Sequence, residues 1–307
     1  MERAENLRQE KLYDRKYEQG YGIRYPESHI IRIYNYLERK YRLSEREDRT
    51  LLDFGCGNGT HSVFFEEKGF RCYGVDISKR AIEQYNKNLN RSSDKRIRED
   101  QGDIRGFHIE EEASMRLPEG LRFDIILANQ SLYYISDRRL QDRLGEFDML
   151  LKEEGVVVFT MMSEANYYFS HIVKGHEKNG MSLVRLRGRL NEDAYINFVK
   201  DEKELEKKFA RFEKDRIGIY DFTMEEGSSQ HYYFVGRKKR FFLGGGGRTL
   251  NWRFGEHMTR FICRKKGKTI QRNISNLSCG GFRSWRDRRA VRESWMWAAP
   301  QEIFCII

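Results

Sequence analysis

The sequence has no long hydrophobic segment, no signal peptide and no organised set of cysteines. No run of 18 or more apolar residues occurs in the 307 residues, so no transmembrane helix is predicted. The first twenty residues are highly charged and lack the apolar core of a signal peptide. The five cysteines have neither zinc-ligand spacing nor a pairing pattern. We therefore expect a cytoplasmic protein without a metal ion, a disulfide framework or a membrane partner.

Tryptophan and net charge are missing from most of the chain. Residues 1–239 carry 43 basic and 43 acidic side chains and no tryptophan. Residues 240–307 carry 14 basic and 4 acidic side chains and all four tryptophans, and they begin near a four-glycine run. One hypothesis is an appendage that binds nucleic acid through its arginines and tryptophans. We favour the other, an unselected and disordered tail such as a frameshift would give, with at most a short helix around 283–297.

The most informative stretch runs from Leu51 to Asp76. An apolar run at 51–54 predicts a buried strand, which leads into a loop with three glycines in five residues at 55–59. A helix at 61–68 and a second strand at 72–75 follow. Asp76 then stands at the end of the second strand, where a carboxylate can accept hydrogen bonds from a ribose diol held over the glycines.

The details of this stretch distinguish two classes of ligand. A dinucleotide fingerprint needs its third glycine one residue later than Gly59, and Asp53 is a poor neighbour for a pyrophosphate. The same acid suits a ligand with a cationic amino group. The three glycines, the acid before them and Asp76 together resemble motif I and the following acidic position of class I S-adenosylmethionine-dependent methyltransferases.

The resemblance covers about 20–238 and implies a Rossmann-like α/β fold. Its sheet would have seven mostly parallel strands with the last strand antiparallel, and helices would cover both faces. The resemblance and the uneven charge together divide the chain into three parts. These are a helical lid segment at 1–49, a methyltransferase domain at 50–239 and the basic tail at 240–307.

The resemblance implies S-adenosylmethionine as the cofactor and assigns residues to it. Arg24, unless it is merely a surface arginine, would meet the cofactor carboxylate. Asp103, after the third strand, would accept from the adenine amino group, with Asp100 as the competing acid. Asn129, at the end of the fourth strand, would offer polar contacts. The implied cofactor residues are Arg24, Asp53, Gly55, Cys56, Gly57, Asn58, Gly59, Asp76, Ile77, Asp103, Ile104 and Asn129.

The acceptor side is less clearly specified. Tyr25, Tyr133 and Tyr134 would wall the acceptor, or they simply pack against neighbouring elements. His231, at the start of the last strand, is the candidate catalytic residue, with a structural histidine as the alternative. The stretch 129–132 lacks the Asn-Pro-Pro-Tyr motif of DNA and protein-amide methyltransferases, which disfavours those acceptors.

We therefore predict an enzyme that transfers a methyl group to a small-molecule or sugar-type acceptor. The alternatives are a cofactor-binding RNA-associated or regulatory protein that uses the basic tail, and a dinucleotide-dependent oxidoreductase that uses the glycine loop. Residues 163–199 exceed a usual connection and are expected to shape acceptor specificity. A helix at 201–212 and strands at 217–222 and 231–235 should complete the sheet.

Overall fold

The computed structural model describes eight stretches of the chain. They are residues 2–18, 20–92, 104–110, 113–187, 191–223, 225–239, 260–265 and 268–273. The chain divides into two compact units, Met1–Arg240 and Phe241–Ile307.

The first unit is built from helices and strands in alternation. The α-helices among its described residues are α1 (Glu2–Glu18), α2 (Ser28–Tyr41), α3 (Thr60–Glu67), α4 (Lys79–Ser92), α5 (Asp137–Leu150) and α6 (Glu202–Lys208). The strands are β1 (Thr50–Phe54), β2 (Arg71–Asp76), β3 (Gly106–His108), β4 (Phe123–Ala128), β5 (Leu151–Met162), β6 (Ile172–Lys178), β7 (Met181–Arg185), β8 (Asp193–Ile196), β9 (Phe212–Tyr220) and β10 (His231–Lys238).

Seven of these strands form one sheet, in the order β3-β2-β1-β4-β5-β10-β9. The pairs from β3 to β5 are parallel, whereas β10 runs antiparallel to both of its neighbours, β5 and β9. The predicted fold class is therefore confirmed, including the antiparallel last strand. The strand order reverses between β1 and β4, and in open α/β sheets ligands bind at the carboxyl ends of the strands beside such a point.

The central strands are apolar on both faces because helices cover both sides of the sheet. In β1, Leu51 packs into one core with Ile30 of α2 and Phe64 of α3. The next residue, Leu52, faces the opposite side and packs into a second core with Leu144 of α5. In β4 all six residues are buried. The two cores hold the sheet rigid, so that the loops at its carboxyl edge have fixed starting points.

The third strand lies later in the chain than the sequence analysis placed it. Asp103 and Ile104 were assigned to the position after this strand, but β3 begins only at Gly106, so Ile104 precedes it. That assignment is wrong, and Ile109 and Glu110 follow the strand instead. The strand has only three residues at the sheet edge, too few for an apolar pattern to reveal it. Asp103 and Asp100 themselves lie outside the described residues.

Two further differences concern the second half of the first unit. Residues 163–199 contain a separate antiparallel sheet in the order β6-β7-β8, which the sequence analysis did not predict. The helix predicted at 201–212 ends at Lys208, because Phe212 already begins β9 and pairs with Lys238 of β10. Strand β9 is an edge strand; the strand predicted at 217–222 covers only its second half, because the charged residues at 213–216 give its first half no apolar run.

In the second unit the structure describes one antiparallel hairpin. Its strands are β11 (Arg260–Lys265) and β12 (Lys268–Asn273), neither of which the sequence analysis predicted. The short helix expected around 283–297 lies outside the described residues. None of the helices in the described stretches has the length and apolar character that crossing a bilayer requires.

The strand order generates a prediction about the tail. All seven strands of the main sheet come from residues 50–238, so a protein truncated after Lys239 keeps every one of them. We expect its melting temperature, measured by calorimetry, to stay within about 4 °C of the full-length value, a change of about 1 kcal/mol for a domain of this size. Truncation after Gln230 is the control, because it removes β10 and should unfold the domain. A larger loss on truncation after Lys239 would make the tail part of the folded domain.

Candidate active site

The glycine loop lies between β1 and α3, at the carboxyl end of the sheet. Its three glycines have positive φ angles, 72° at Gly55, 53° at Gly57 and 83° at Gly59, which side-chain-bearing residues rarely adopt. The amides of Gly55 and Cys56 donate to the carbonyl of Val75 at 2.8 and 3.1 Å. These bonds tie the loop to the end of β2. The loop therefore presents bare backbone beside the residue that follows Val75.

That residue is Asp76, and both of its carboxylate oxygens are held by backbone amides. The amide of Gly57 donates to Oδ2 and the amide of Ser78 donates to Oδ1, each at 2.9 Å. Burial raises the pKa of Asp76, while these two hydrogen bonds favour its charged form. Each carboxylate oxygen can accept a second hydrogen bond. The side chain is thus fixed next to the loop with capacity for further donors.

Asp53 is buried in β1, just before the loop begins. Its side chain is 1% exposed, and its Oδ2 accepts from the Ser62 hydroxyl of α3 at 2.8 Å. Burial raises the pKa of Asp53 to about 7, even though the Ser62 hydrogen bond acts to lower it. The bond links β1 to α3 across the base of the loop. A contact between Asp53 and a cofactor stays a prediction.

Helix α1 lies over the loop and over the start of α4. The Tyr17 hydroxyl sits directly above Gly57, where a side chain at that position would collide with it. Asp14 accepts from the Ser78 hydroxyl at 2.6 Å, and Glu18 accepts from Arg80 Nε at 3.2 Å. The segment assigned to a lid from the sequence therefore contacts both the glycine loop and the residues beyond Asp76.

A polar network lies at the carboxyl end of β4. Asn129, which follows this strand, donates from Nδ2 to Glu27 Oε2 at 2.7 Å, and its Oδ1 accepts from His29 Nε2 at 2.9 Å. Glu27 also accepts from Gln130 Nε2 at 2.9 Å and lies 3.5 Å from His61 Nε2. Burial lowers the pKa of His61 to about 4 and also lowers that of His29. Both histidines are neutral at pH 7.

An aromatic stack leads from this network to the last strand. The ring of Tyr220 is stacked between those of His29, at 3.7 Å between centroids, and His231, at 5.1 Å. His231 donates from Nδ1 to the carbonyl of Ser229 at 2.8 Å, which leaves Nε2 as an acceptor. Within the described residues this buried Nε2 has no hydrogen-bond partner. Burial lowers the pKa of His231 to about 4.

Comparison with known proteins identifies the family. A family model described as a methyltransferase domain matches residues 28–213, more than half of the chain. The chain belongs to this family. The predicted membership of the class I S-adenosylmethionine-dependent methyltransferases is thereby confirmed, and the methyltransferase family is favoured over the dinucleotide-dependent oxidoreductases.

The relatives match this chain over part of their length. Malonyl-[acyl-carrier protein] O-methyltransferase of Halalkalibacterium halodurans is 27% identical over 142 residues, 46% of this chain and 49% of the relative. The chain spans about half the length of the curated relatives it matches. A crystal structure of a Methanosarcina mazei methyltransferase matches with a TM-score of 0.50 and 20% identity, over 67% of this chain and 96% of the other. A crystal structure of a methyltransferase from Anabaena variabilis matches with a TM-score of 0.52 and 17% identity, over 76% of this chain and 95% of the other. These two share the fold.

The methyltransferase loop fits the cofactor of its family. Gly57 adopts a backbone conformation that favours glycine, so no side chain of its own lies between the backbone and a ligand, although the Tyr17 hydroxyl occupies the space above it. Asp76 stands beside it with free acceptor capacity for a ribose diol. Asn58 donates from Nδ2 to the carbonyl of Ile23 at 2.9 Å, so its amide is directed toward the lid segment. Cys56 is buried and burial raises the pKa of its thiol well above the usual range.

The other residues assigned from the sequence divide into two groups. Tyr133 and Tyr134 lie in the 3₁₀ helix Leu132–Tyr134, where Tyr133 contacts His231 at 5.6 Å between ring centroids. Arg24 and Tyr25 stack on each other in an exposed loop, and Tyr25 is 73% exposed. Ile104 is 68% exposed. The structure thus brings the two tyrosines of the first group to the site but leaves this second group facing solvent.

The sequence analysis missed several residues of the candidate site. It also assigned Ile77 to the cofactor, and the structure shows a different contact for this residue. Glu27, His29, His61 and Tyr220 were not identified. A signal existed for His29, because it continues the buried stripe of Ile33 and Leu37 at helical spacing. Ile77 follows Asp76, and its carbonyl accepts from His108 Nε2 at 3.0 Å. In the described ranges, no three or more His, Cys, Asp or Glu side chains are grouped to hold a metal ion.

The Asp76 geometry generates a prediction for cofactor binding. Replacing Asp76 with alanine removes acceptors whose charge-assisted hydrogen bonds contribute about 1.5–3 kcal/mol each. We expect S-adenosylhomocysteine, measured by calorimetry, to bind at least about tenfold more weakly. Asp76→Asn should give an intermediate loss, and Asp142→Ala, at an exposed site on α5, none. Unchanged affinity in a folded Asp76→Ala protein would remove this residue from the site.

The Gly57 conformation generates a second prediction. Valine at position 57 would be strained at a φ of 53° and would collide with Tyr17, so Gly57→Val should abolish measurable binding of S-adenosylhomocysteine. Gly175→Val is a matched control, since Gly175 has a φ of 78° but no atom within 4 Å of an added Cβ. That variant should bind normally. Normal binding of S-adenosylhomocysteine by Gly57→Val would show that the loop is an ordinary turn and not part of the cofactor site.

Proposed function

We propose that this chain binds S-adenosylmethionine and transfers its methyl group to a small-molecule or sugar-type acceptor. The observation that carries the proposal is the Asp76 carboxylate, held by the Gly57 and Ser78 amides beside a glycine loop that follows β1. When bound, S-adenosylmethionine supplies an electrophilic methyl group on a sulfonium. The task of the protein residues is then alignment of the acceptor, an effect that can lower a barrier by roughly 7–11 kcal/mol.

Each element of the site has a role in this proposal. Asp76 would accept hydrogen bonds from the ribose hydroxyls, and Gly57 would let the cofactor lie against the backbone. Asn129 is held by Glu27 and His29, so its position at the end of β4 is fixed. Such a fixed amide supports contacts at the boundary between cofactor and acceptor.

His231 is suited to orient the acceptor rather than to abstract its proton. Its Nδ1–H is committed to the Ser229 carbonyl, so Nε2 can accept a hydrogen bond from a hydroxyl or amine. A pKa of about 4 makes this nitrogen a weak base at neutral pH. Tyr133 and Tyr220 pack against the ring and exclude water from that side. His231 is therefore proposed as a positioning residue.

A small acceptor is favoured over a macromolecule. The residues beside His231 are buried, and Tyr133 is 4% exposed, so a narrow group fits there better than a polymer surface. Residues 1–239 carry no net charge, which argues against a nucleic-acid groove in the catalytic domain. The Halalkalibacterium relative is named for an acceptor on an acyl carrier protein, so a carrier-bound small group remains within this proposal.

Two measurements test the proposed function. Calorimetry with S-adenosylhomocysteine and with NAD should give binding of the first alone. Incubation of a metabolite extract with the protein and S-adenosylmethionine should produce compounds heavier by one methyl group, detected by mass spectrometry. Binding of NAD without S-adenosylhomocysteine would overturn the proposal in favour of an oxidoreductase.

The protonation of His231 generates a prediction about pH. Since the pKa of His231 is about 4, its imidazole stays neutral when the pH falls below about 6.5, the ordinary pKa of a histidine. We therefore expect kcat/KM to stay constant as the pH is lowered through about 6.5. His231→Phe should lower kcat about tenfold, because one hydrogen bond to the acceptor is lost. The affinity for S-adenosylhomocysteine should not change.

His171→Phe is the control for this prediction, because His171 is exposed in the 3₁₀ helix Tyr167–His171. It should retain the rate of the unaltered protein. An inflection near pH 6.5 that His231→Phe removes would instead make His231 a general base.

A further inference from the structure

A buried carboxylate outside the network described above lies next to the acceptor side. Glu192 precedes β8, and its side chain is 3% exposed. Its Oε2 accepts from Lys16 Nζ of α1 at 2.8 Å. The other oxygen, Oε1, is buried and has no hydrogen-bond donor among the described residues. Burying a carboxylate costs free energy unless a counter-charge and hydrogen bonds compensate it.

Tyrosine rings surround this ion pair. Lys16 Nζ lies 4.9 Å from the ring centroid of Tyr13 and 5.6 Å from that of Tyr21, within range of cation–π attraction. The rings of Tyr13 and Tyr134 meet edge to face at 6.0 Å. Burial raises the pKa of Tyr13 and Tyr134, and the Glu192 charge raises both further. The carboxylate and the rings enclose the Lys16 ammonium group, and this enclosure is called the tyrosine chamber below.

The chamber is continuous with the candidate active site. Tyr21 contacts Tyr17 at 5.5 Å between centroids, and Tyr17 lies over Gly57. On the other side Tyr134 contacts Tyr133 at 4.7 Å, and Tyr133 contacts His231. Glu192 is therefore connected through ring contacts to both the glycine loop and the proposed positioning residue.

The two partners of the ion pair belong to different parts of the chain. Glu192 lies within the matched methyltransferase domain, whereas Lys16 lies on α1, before the first matched residue. Tyr17, on the same helix, covers Gly57, so close approach of a cofactor to that glycine requires the Tyr17 side chain to move. If α1 moves with it, Lys16 is withdrawn from Glu192, and a buried carboxylate is left that attracts another cation.

We propose that the acceptor carries a protonated amine, which binds Glu192 inside the tyrosine chamber at the position that Lys16 Nζ takes here. The proposal rests on the proposed function, since it names the class of acceptor for the same site. An anionic acceptor would be repelled by Glu192, and a neutral one would not replace the charge of Lys16. Lys16 then acts as an internal competitor for the acceptor.

Calorimetry on the full-length protein tests this with phenethylamine as the probe and phenethyl alcohol as its neutral counterpart. The titrations are made with and without S-adenosylhomocysteine. We expect the amine to bind at least about tenfold more tightly than the alcohol. Lys16→Met should tighten amine binding severalfold, because it removes the competitor. Lys11→Met, an exposed lysine on the same helix, should change nothing, and Glu192→Gln should abolish the preference for the amine.

The outcomes separate this proposal from the proposed function. Equal or undetectable binding of amine and alcohol, in a protein that binds S-adenosylhomocysteine, overturns the amine proposal alone. Weaker amine binding in Lys16→Met also overturns the amine proposal. In that case the ion pair between Lys16 and Glu192 would only hold α1 in place and would not compete with the amine. An amine preference without S-adenosylhomocysteine binding supports the cation site and counts against the methyltransferase function. If Glu192→Gln does not fold, the comparison of Lys16→Met with Lys11→Met decides.

Discussion

A carboxylate clamped by two backbone amides fixes the geometry on which this active site depends. Asp76 can accept from Gly57 only because the loop turns through the left-handed conformation, and it accepts from Ser78 because α4 starts directly after β2. The parallel pairing of β1 with β2 brings the two segments together at one edge. Sheet register, loop conformation and carboxylate position are therefore a single structural unit.

Around this unit, burial determines which groups are charged. His61 and His231 are buried, and burial disfavours the imidazolium, so both are neutral at pH 7. Glu27 is kept in place by the amides of Asn129 and Gln130. Glu192 is buried as well, but it has a lysine as its counter-ion. The candidate site thus contains neutral imidazoles together with a carboxylate, Glu192, whose charge a lysine compensates.

The parts of the site that were predictable are those that lie close together in the sequence. The glycine loop and Asp76 fall within 26 residues, and a strand, loop, helix and strand in that order has one favoured packing. Predictions failed where the local pattern was weak. The three residues of β3 gave no period, so the strand was placed too early in the chain. The assignments of Arg24 and Tyr25 stay predictions.

The sequence by itself determined the α/β fold, the glycine loop and the acid beside it, because alternating apolar runs and glycine conformations are local properties of the chain. Only the tertiary structure decided that His29 and His231 stack on opposite sides of Tyr220, and that Lys16 reaches Glu192. Those partners are separated by up to about two hundred residues. They meet because Tyr220 at the end of β9 is paired with His231 at the start of the antiparallel strand β10, because the first turn of α2 lays His29 against Tyr220, and because α1 brings Lys16 to the residue before β8.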